Sequence, residues 1–275
     1  MDYTLNIKGR LLSLETPQVM GILNVTPDSF YAGSRTQTEE AIAQRARQIV
    51  AEGGSIIDIG ACSTRPGGNP VSEEEEGRRL RLALKTVRAT VPDAIVSIDT
   101  YRPALAKMAI EEFDADIIND VSEGQYPEML RLVAEKQVPY ILMTQQANIH
   151  DMLLSFAEKV QQLRDLGQKD IILDPGFGFG KTMAGNYETL RDMEKLRIME
   201  LPILAGVSRK RMIHQLLGTT PADSLNGTTI LNTIALLNGA DILRVHDVRA
   251  AVEAVKIVRQ TQHPEEYQEQ LGLYK

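Results

Sequence analysis

The amino-acid sequence predicts an α/β fold, a (β/α)8 TIM barrel in a single domain, and three observations carry this prediction. Eight short apolar runs alternate with amphipathic segments, and successive runs begin about 22 to 39 residues apart. The runs are nearly continuous in Ile, Leu and Val, which is typical of parallel strands buried on both faces. The length of 275 residues suits such barrels, which commonly use about 250 residues. A doubly wound open sheet is the alternative that this pattern leaves open.

The predicted elements follow in chain order. Residues 3–15 alternate in the manner of a short N-terminal β-hairpin. The eight predicted barrel strands are residues 19–23, 56–59, 95–98, 117–118, 140–143, 171–173, 203–207 and 242–245. Neither a linker nor a break in composition divides the chain, so residues 1–275 are expected to form one domain.

Helix boundaries can be read between the strands. Ser72 followed by Glu75 predicts a capping box, at the start of a helix that must end near Pro92. Pro127 is expected to open another helix, because proline suits the first helical position. Strand and helix signals therefore alternate as the barrel requires.

Composition and charge exclude several classes of protein. The formal net charge of -7 and the lack of a basic stripe argue against a nucleic-acid partner. The single cysteine, Cys62, excludes an intrachain disulfide and is compatible with a reducing compartment. The N-terminus lacks the features of a signal peptide, and no apolar run approaches the roughly 20 residues needed to span a bilayer. We therefore expect a soluble cytoplasmic protein that binds neither nucleic acid nor membrane.

Polar residues end or follow the predicted strands, where the active site of a barrel lies. These residues are Asn24, Asp58, Asp99, Asn119, Thr144, Asp174, Ser208 with Arg209 and Lys210, and Arg244 with His246. Helix N-caps would explain some of the Asp, Asn and Ser residues. They do not explain Lys210, Arg244 and His246 together, so an active site for a small molecule is predicted here.

Three of these residues favour a polar heterocycle. Carboxylates are costly near a barrel axis unless they bind a donor, and Asp99 and Asp174 could accept from the N–H groups of an amino-substituted ring. Asn119 can both donate and accept. The expected ligand therefore has a flat polar head.

The basic residues favour an anion. Lys210, Arg244 and His246, with Arg65 after the second strand, are predicted to form a cationic cluster on the other side of the site. Arginine and lysine suit phosphate oxygens. The ligand is therefore expected to carry an anionic tail.

A glycine-rich segment, residues 175–182, resembles a nucleotide-binding loop only in part. Pro175 stands where the first P-loop glycine belongs, and Met183 where the last glycine of the dinucleotide fingerprint belongs. The glycines instead predict a loop that passes close to a ligand, with Phe177 or Phe179 as an aromatic wall. Cys62 is a lone thiol in a loop and is expected to be unreactive.

Seven motifs together carry a resemblance to a known family. They are residues 21–30, 58–67, 97–100, 117–121, 173–182, 206–210 and 242–248. With them the sequence resembles the dihydropteroate synthases, in family order from about Val19 to Val248. The resemblance implies a transferase of folate biosynthesis, a sulfonamide target, that joins 6-hydroxymethyl-7,8-dihydropterin pyrophosphate to p-aminobenzoate. It also implies a homodimer through late helices.

The resemblance assigns roles to residues whose motifs match. The residues expected to hold the pterin ring are Asp99, Asn119, Asp174 and Lys210. Those expected around the pyrophosphate are Asn24, Thr64, Arg244 and His246, with Mg2+ near Asn24. Those expected to line the p-aminobenzoate pocket are Phe179 and Ser208, with Arg65 on a mobile loop over it. Lys210, Arg244 and His246 are the expected catalytic groups.

The sequence departs from the family pattern at two places. Ala61-Cys62 replaces the usual Gly-Glu pair, and Thr144 follows Met143 where the family usually has histidine. Two alternatives remain open: a pterin-binding methyltransferase of the methyltetrahydrofolate kind, and a non-catalytic paralogue that binds pterin. The methyltransferase would not need Arg244 and His246 together.

Overall fold

An eight-stranded parallel barrel forms the centre of the molecule in the computed structural model, which describes residues 3–25, 35–62 and 71–265. Its strands are β3 Gln18–Asn24, β4 Ile56–Gly60, β5 Ile95–Asp99, β6 Ile117–Asp120, β7 Tyr140–Met143, β8 Ile171–Asp174, β9 Leu204–Ala205 and β10 Ile242–Val245. The strands are ordered β8-β7-β6-β5-β4-β3-β10-β9. A parallel bridge between Leu173 and Ile203 joins the two ends of this order. The sequential strand order excludes the doubly wound sheet and confirms the (β/α)8 barrel.

Helices surround the barrel and bury its outer face. They are α1 Arg35–Ala51, α2 Glu73–Thr90, α3 Pro103–Phe113, α4 Pro127–Lys136, α5 Ile149–Asp165, α6 Met183–Asp192, α7 Arg211–Leu217, α8 Leu225–Leu237 and α9 Val248–Gln262, with a 3-10 helix at Met193–Met199. The outward-facing strand residues pack with the helices in one large apolar core. Within the described ranges, none of the helices is long and apolar enough to cross a membrane.

The predicted N-terminal hairpin is confirmed and closes one end of the barrel. Strands β1 Thr4–Ile7 and β2 Arg10–Ser13 pair in antiparallel fashion. Leu5, Ile7 and Leu14 form a second buried cluster with apolar residues near the amino-terminal ends of the barrel strands, among them Ile117 and Ile172. Because this end is filled by side chains, the active site is left to the opposite end.

The helix boundaries agree with the sequence except in one detail. The Ser72 hydroxyl accepts a hydrogen bond from the Glu75 backbone N–H at 3.2 Å, and α2 ends at Thr90, before Pro92. Pro127 opens α4. The other half of the capping box is replaced, because the Glu75 carboxylate binds Arg78 and Arg79 instead.

Strand limits shift in a way that matters for the site. Asn24, Asp99 and Asp174 are the last residues of their strands and do not follow them. Asp58 lies in the middle of β4 and not at its end, within the predicted strand 56–59. Strand β9 ends at Ala205 and is shorter than the predicted 203–207. The chain after it enters a turn, which is closed by a hydrogen bond from the Lys210 N–H to the Val207 carbonyl.

Candidate active site

An arginine joins two carboxylates across the carboxyl end of the barrel. Arg244 on β10 donates from Nε to Asp58 Oδ2 at 2.6 Å and from Nη2 to Asp99 Oδ2 at 2.6 Å. Burial alone would lower the pKa of Arg244, but Asp58 and Asp99 raise it above its usual range. Burial raises the pKa of Asp99, against the pull of Arg244. Arg244 is therefore a fixed cation that already has two carboxylate partners.

A buried amide completes this cluster. Asn119 is 2% exposed and donates from Nδ2 to Asp58 Oδ2 at 3.2 Å. Its Oδ1 is buried and has no hydrogen-bond partner among the residues that the structure describes. A buried acceptor of this kind is unfavourable until a donor reaches it, so a ligand N–H fits this position.

Asp174 and Lys210 form the second charged pair of the site. Asp174 on β8 is buried, and its Oδ1 accepts from the Gly176 N–H at 2.7 Å. Burial raises the pKa of Asp174, and the nearby Lys210 opposes this. Burial lowers the pKa of Lys210 to about 8, and Asp174 opposes this in turn. Lys210 is at the N-cap position of α7, and its Nζ contacts the Phe177 carbonyl oxygen.

The glycine-rich segment packs against this lysine. Gly178 has φ +81°, and a Cβ there would lie 3.2 Å from Lys210 Cδ. The Lys210 Nζ lies 5.0 Å from the ring centroid of Phe179, which is partly exposed. Phe177 is fully buried in the core, so of the two predicted aromatic residues only Phe179 can face a ligand.

Lys181 holds the same segment from within. Its Nζ donates to the carbonyls of Gly176 at 3.1 Å and Phe179 at 3.2 Å. A P-loop lysine instead reaches the phosphates of its nucleotide. Lys181 therefore stabilises the conformation of the loop itself.

Ser208 and His246 form a third pair. The Ser208 hydroxyl lies 3.0 Å from His246 Nδ1 and accepts from the His246 backbone N–H at 3.1 Å. Burial, with the charges of Arg244 and Arg209, lowers the pKa of His246 to about 4. The prediction that His246 is part of a cationic cluster is therefore wrong at neutral pH, because desolvation keeps the imidazole uncharged.

The predicted separation of a polar side from a cationic side is also wrong. Arg244, expected on the cationic side, lies between Asp58 and Asp99. Lys210 interacts electrostatically with Asp174, whose charge opposes the lowering of the Lys210 pKa by burial. Buried cations of this kind persist because carboxylates compensate their loss of hydration. The site is thus a set of alternating charges and not two halves.

Asn24 and Asp99 face a common space above Gly60. A Cβ on Gly60 would lie 3.3 Å from Asn24 Oδ1 and 3.5 Å from Asp99 Oδ2. In the described part of the chain, there is no group of three or more His, Cys, Asp or Glu residues that could hold a metal ion. Thr64 and Arg65, also predicted for the site, lie outside the described residues.

Arg45 is a site neighbour that the sequence reasoning missed. It donates from Nη2 to the His246 carbonyl at 2.6 Å and from Nε to the Ile22 carbonyl at 3.2 Å. The spacing of the buried residues Ile42, Ala46 and Ile49 on α1 places it on the inner face of the helix. That helical spacing was the signal that could have found it.

Comparison with known proteins agrees with this geometry. A model of the family described as pterin binding enzyme matches residues 20–246. A dihydropteroate synthase of Escherichia coli (strain K12) is 36% identical over 269 residues, which cover 92% of this chain and 95% of that protein. One of Streptococcus pyogenes is 40% identical over 253 residues, which cover 88% and 94%.

Solved structures give the same answer. The dihydropteroate synthase of Xanthomonas albilineans with 4-aminobenzoic acid has a TM-score of 0.89 at 35% identity, with 95% of this chain and 99% of that chain covered. The Yersinia pestis enzyme with a pterine–sulfa conjugate has a TM-score of 0.84 at 34% identity, with 96% and 100% covered. The chain therefore belongs to the pterin binding enzymes, in the dihydropteroate synthase family.

Proposed function

We propose that this chain condenses 6-hydroxymethyl-7,8-dihydropterin pyrophosphate with p-aminobenzoate, to form 7,8-dihydropteroate and release pyrophosphate. The observation that carries the proposal is the buried Asn119 Oδ1, which has no partner among the described residues and lies beside the Asp58–Arg244–Asp99 cluster. It offers an acceptor for a nitrogen-rich ring next to a guanidinium for an anion. A structure of the Xanthomonas albilineans enzyme in complex with 7,8-dihydropteroate, at 34% identity, supports it.

Four residues are proposed to hold the pterin ring. Asp99, Asn119 and Asp174 supply acceptors for its N–H groups, and Lys210 supplies a donor for its oxygen or nitrogen acceptors. All four are at the barrel mouth, and Asn119 and Asp174 are buried. A buried acceptor discriminates strongly against ligands without the matching donor, because it would stay unpaired.

The pyrophosphate is proposed to lie against Arg244, His246 and Thr64. Arg244 supplies fixed positive charge, and a neutral His246 can still donate from its ring N–H. Asn24 would bind Mg2+ through Oδ1, since the ion prefers oxygen ligands and keeps several from water and phosphate. When bound, Mg2+ would neutralise charge on the leaving pyrophosphate.

The proposed chemistry needs no strong base. Negative charge grows on the pyrophosphate as the bond to the pterin methylene breaks, and Arg244 and His246 are placed to stabilise it. The methylene carbon left behind is electron-poor, and the dihydropterin ring shares its positive charge near Asp99 and Asp174. The p-aminobenzoate amine then attacks this carbon and loses a proton to solvent. Lys210, Arg244 and His246 are the proposed catalytic groups.

The second substrate is proposed to lie against Phe179 and Ser208, under Arg65. Phe179 is partly exposed beside Lys210, and the Ser208 hydroxyl is fixed by His246. A structure of the Yersinia pestis enzyme is titled as a sulfonamide drug complex, at 37% identity. We propose that sulfonamides occupy the same place in this chain.

A homodimer through α7 and α8 is also proposed. Large apolar side chains on these helices are exposed: Leu216, Leu217, Leu225, Ile230, Ile234 and Leu237. Together they form what we call the α7–α8 face. Apolar patches of this kind commonly mark an interface. We further propose that residues 1–275 form one domain and that the protein works in the cytoplasm.

A pyrophosphate-release assay tests the proposed activity. The purified protein is mixed with the pterin pyrophosphate and Mg2+, with and without p-aminobenzoate, and both pyrophosphate and dihydropteroate are measured. Equal amounts of both products, dependent on p-aminobenzoate, are expected. Pterin binding without any release would indicate the non-catalytic alternative, and transfer of a methyl group would indicate the methyltransferase.

A chelator tests the metal. Removal of Mg2+ should weaken binding of the pterin pyrophosphate far more than binding of a pterin without the tail. Equal effects on both ligands would contradict a metal site at Asn24. The fold should persist without metal, because the described residues supply no cage of protein ligands whose filling would be part of folding.

A further inference from the structure

Asp58 is a fully buried carboxylate in the middle of β4, between Ile57 and Ile59. A charge in such a place is unfavourable unless several hydrogen bonds compensate for the water it has lost. Asp58 is 0% exposed, so it acts on the site through its neighbours. The groups that Asp58 binds are the side chains of Ser97, Asn119 and Arg244.

The two oxygens of Asp58 have different partners. Oδ1 accepts from the Ser97 hydroxyl at 2.6 Å. Oδ2 accepts from Arg244 Nε at 2.6 Å and from Asn119 Nδ2 at 3.2 Å. An ionised carboxylate can only accept, so a side chain that binds it must present a donor. For Asn119, this fixes which end of the amide points towards Asp58.

The fixed amide leaves its other end for the ligand. With Nδ2 held by Asp58, the carbonyl oxygen of Asn119 is the atom that remains buried and without a partner in the described part of the chain. A neutral asparagine beside a group that could both donate and accept would have no such preference. It could turn over and present its NH2 group instead.

We propose that Asp58 is a positioning residue that sets the hydrogen-bonding polarity of Asn119, and so makes this part of the site select a ligand N–H donor. The same Oδ2 also holds Arg244 by Nε, which keeps the guanidinium at its place between Asp58 and Asp99. One carboxylate thereby orients both a ring-binding amide and an anion-binding cation. This inference rests on the proposed binding of a pterin at Asn119.

An exchange of the two side chains tests the proposal. Asp58→Asn should let Asn119 turn over and should weaken binding of 6-hydroxymethylpterin by about tenfold or more, measured by calorimetry without Mg2+ or pyrophosphate. In the double variant Asp58→Asn with Asn119→Asp, the new amide donates to the new carboxylate. The carboxylate then offers an acceptor to the ligand again, so affinity should recover by about threefold or more.

Ser97→Ala is the matched control. Ser97 binds Oδ1 of Asp58, on the oxygen that neither Asn119 nor Arg244 uses. This variant removes one hydrogen bond from the same carboxylate and should keep pterin affinity within about threefold of wild type. A loss as large as that of Asp58→Asn would mean that general disruption around Asp58 weakens binding, and would overturn the proposal.

The remaining outcomes are separable. Wild-type affinity in Asp58→Asn, or no recovery in the exchange variant, would also overturn the proposal. If Asp58→Asn alone does not fold in a thermal melt, the exchange variant is compared with wild type directly. Affinity within about tenfold of wild type then supports the proposal, and a larger loss refutes it. If the wild-type protein itself does not bind the pterin, the proposed function fails, whatever the variants do.

Discussion

The Ser208 hydroxyl oxygen lies 3.0 Å from Nδ1 of His246 and 3.1 Å from the backbone nitrogen of the same residue. Because the oxygen accepts from the backbone N–H, its own hydrogen is available for Nδ1. An imidazole that accepts at Nδ1 carries its proton at Nε2. Because its pKa is lowered to about 4, His246 is neutral near pH 7, and a ring that accepts from Ser208 at Nδ1 donates from Nε2.

His246 should therefore stay neutral far below the usual pKa of histidine. Burial and nearby cations lower its pKa to about 4 from the ordinary 6.5, so its imidazole resonances should not titrate between pH 8 and about 5. A lowered histidine pKa means that the unfolded chain binds a proton which the folded chain does not. The contribution of His246 to the free energy of unfolding is therefore fully present above pH 6.5. It is lost as the pH falls towards 4, by up to about 3 kcal/mol. A titration midpoint near 6.5 by NMR would contradict this, and His246→Gln should lose less stability over the same window.

Asp174→Asn should weaken pterin binding by about 2 to 4 kcal/mol, because ring N–H donors lose a charged acceptor. Asp99→Asn should act in the same direction. The two effects should not add, because both residues contact one ligand. Calorimetry with 6-hydroxymethylpterin on the single and double variants measures this, and unchanged affinity in Asp174→Asn would refute the assignment.

Pterin affinity should fall as pH rises through about 8, where Lys210 loses its proton. Lys210→Met should be weak at all pH values and should show no such decline. Lys181, whose pKa burial also lowers to about 8, is the matched control, because its Nζ binds loop carbonyls. Lys181→Met should lower the melting temperature and keep the decline. If the decline disappears in Lys181→Met instead, deprotonation of Lys181 and not of Lys210 weakens pterin binding. That result would contradict the prediction.

Gly60→Ala should impair the site with little change in backbone. The added methyl group would lie 3.3 Å from Asn24 Oδ1, which must give by a few tenths of an ångström, and in van der Waals contact with Asp99 Oδ2 at 3.5 Å. Overpacking of this kind costs about 1–3 kcal/mol. We expect kcat/KM to fall by about tenfold in the pyrophosphate-release assay, a change of about 1.4 kcal/mol. A wild-type kcat/KM in Gly60→Ala would show that the reaction does not depend on the present positions of Asn24 and Asp99.

Ile230→Arg should shift the protein from dimer to monomer in sedimentation velocity. Ile230 is 50% exposed on the α7–α8 face, and an arginine there would be placed within the proposed interface. Leu154→Arg is the matched control, since Leu154 is 60% exposed on α5, away from the late helices. A wild-type monomer, or equal behaviour of the two variants, would contradict the proposed dimer.

Much of the barrel could be read from the sequence, because each element carries a local signal. The predicted strands 140–143 and 242–245 coincide with β7 and β10. Parallel strands buried on both faces need continuous apolar runs, and these are visible in a single chain. The position of Asn24, Asp99, Asn119 and Asp174 at the barrel mouth follows from the same topology.

The pairing of side chains could not be read in this way. Arg244 was expected with the cations, but its long side chain reaches Asp58 on β4 and Asp99 on β5. Which partner it meets depends on the barrel radius and the depth of each residue, and neither is a local property. The neutral state of His246 depends on burial in the same way. Asp58 was visible as a charge within an apolar run, but its contacts with Ser97 and Asn119 were not.

Among the residues that the structure describes, the hairpin fills the amino-terminal end of the barrel, so the site is reached from the carboxyl-terminal end. Leu5, Ile7 and Leu14 block the other end, so a molecule that reaches Asn119 must leave by the way it came. In the proposed reaction the pterin sits deep and p-aminobenzoate lies above it, near Phe179. In this arrangement we expect the pterin to bind before p-aminobenzoate. The pterin should then be unable to dissociate while p-aminobenzoate is bound. A sulfonamide bound in the p-aminobenzoate position should therefore slow dissociation of the pterin and lengthen its residence time. It should not displace the pterin.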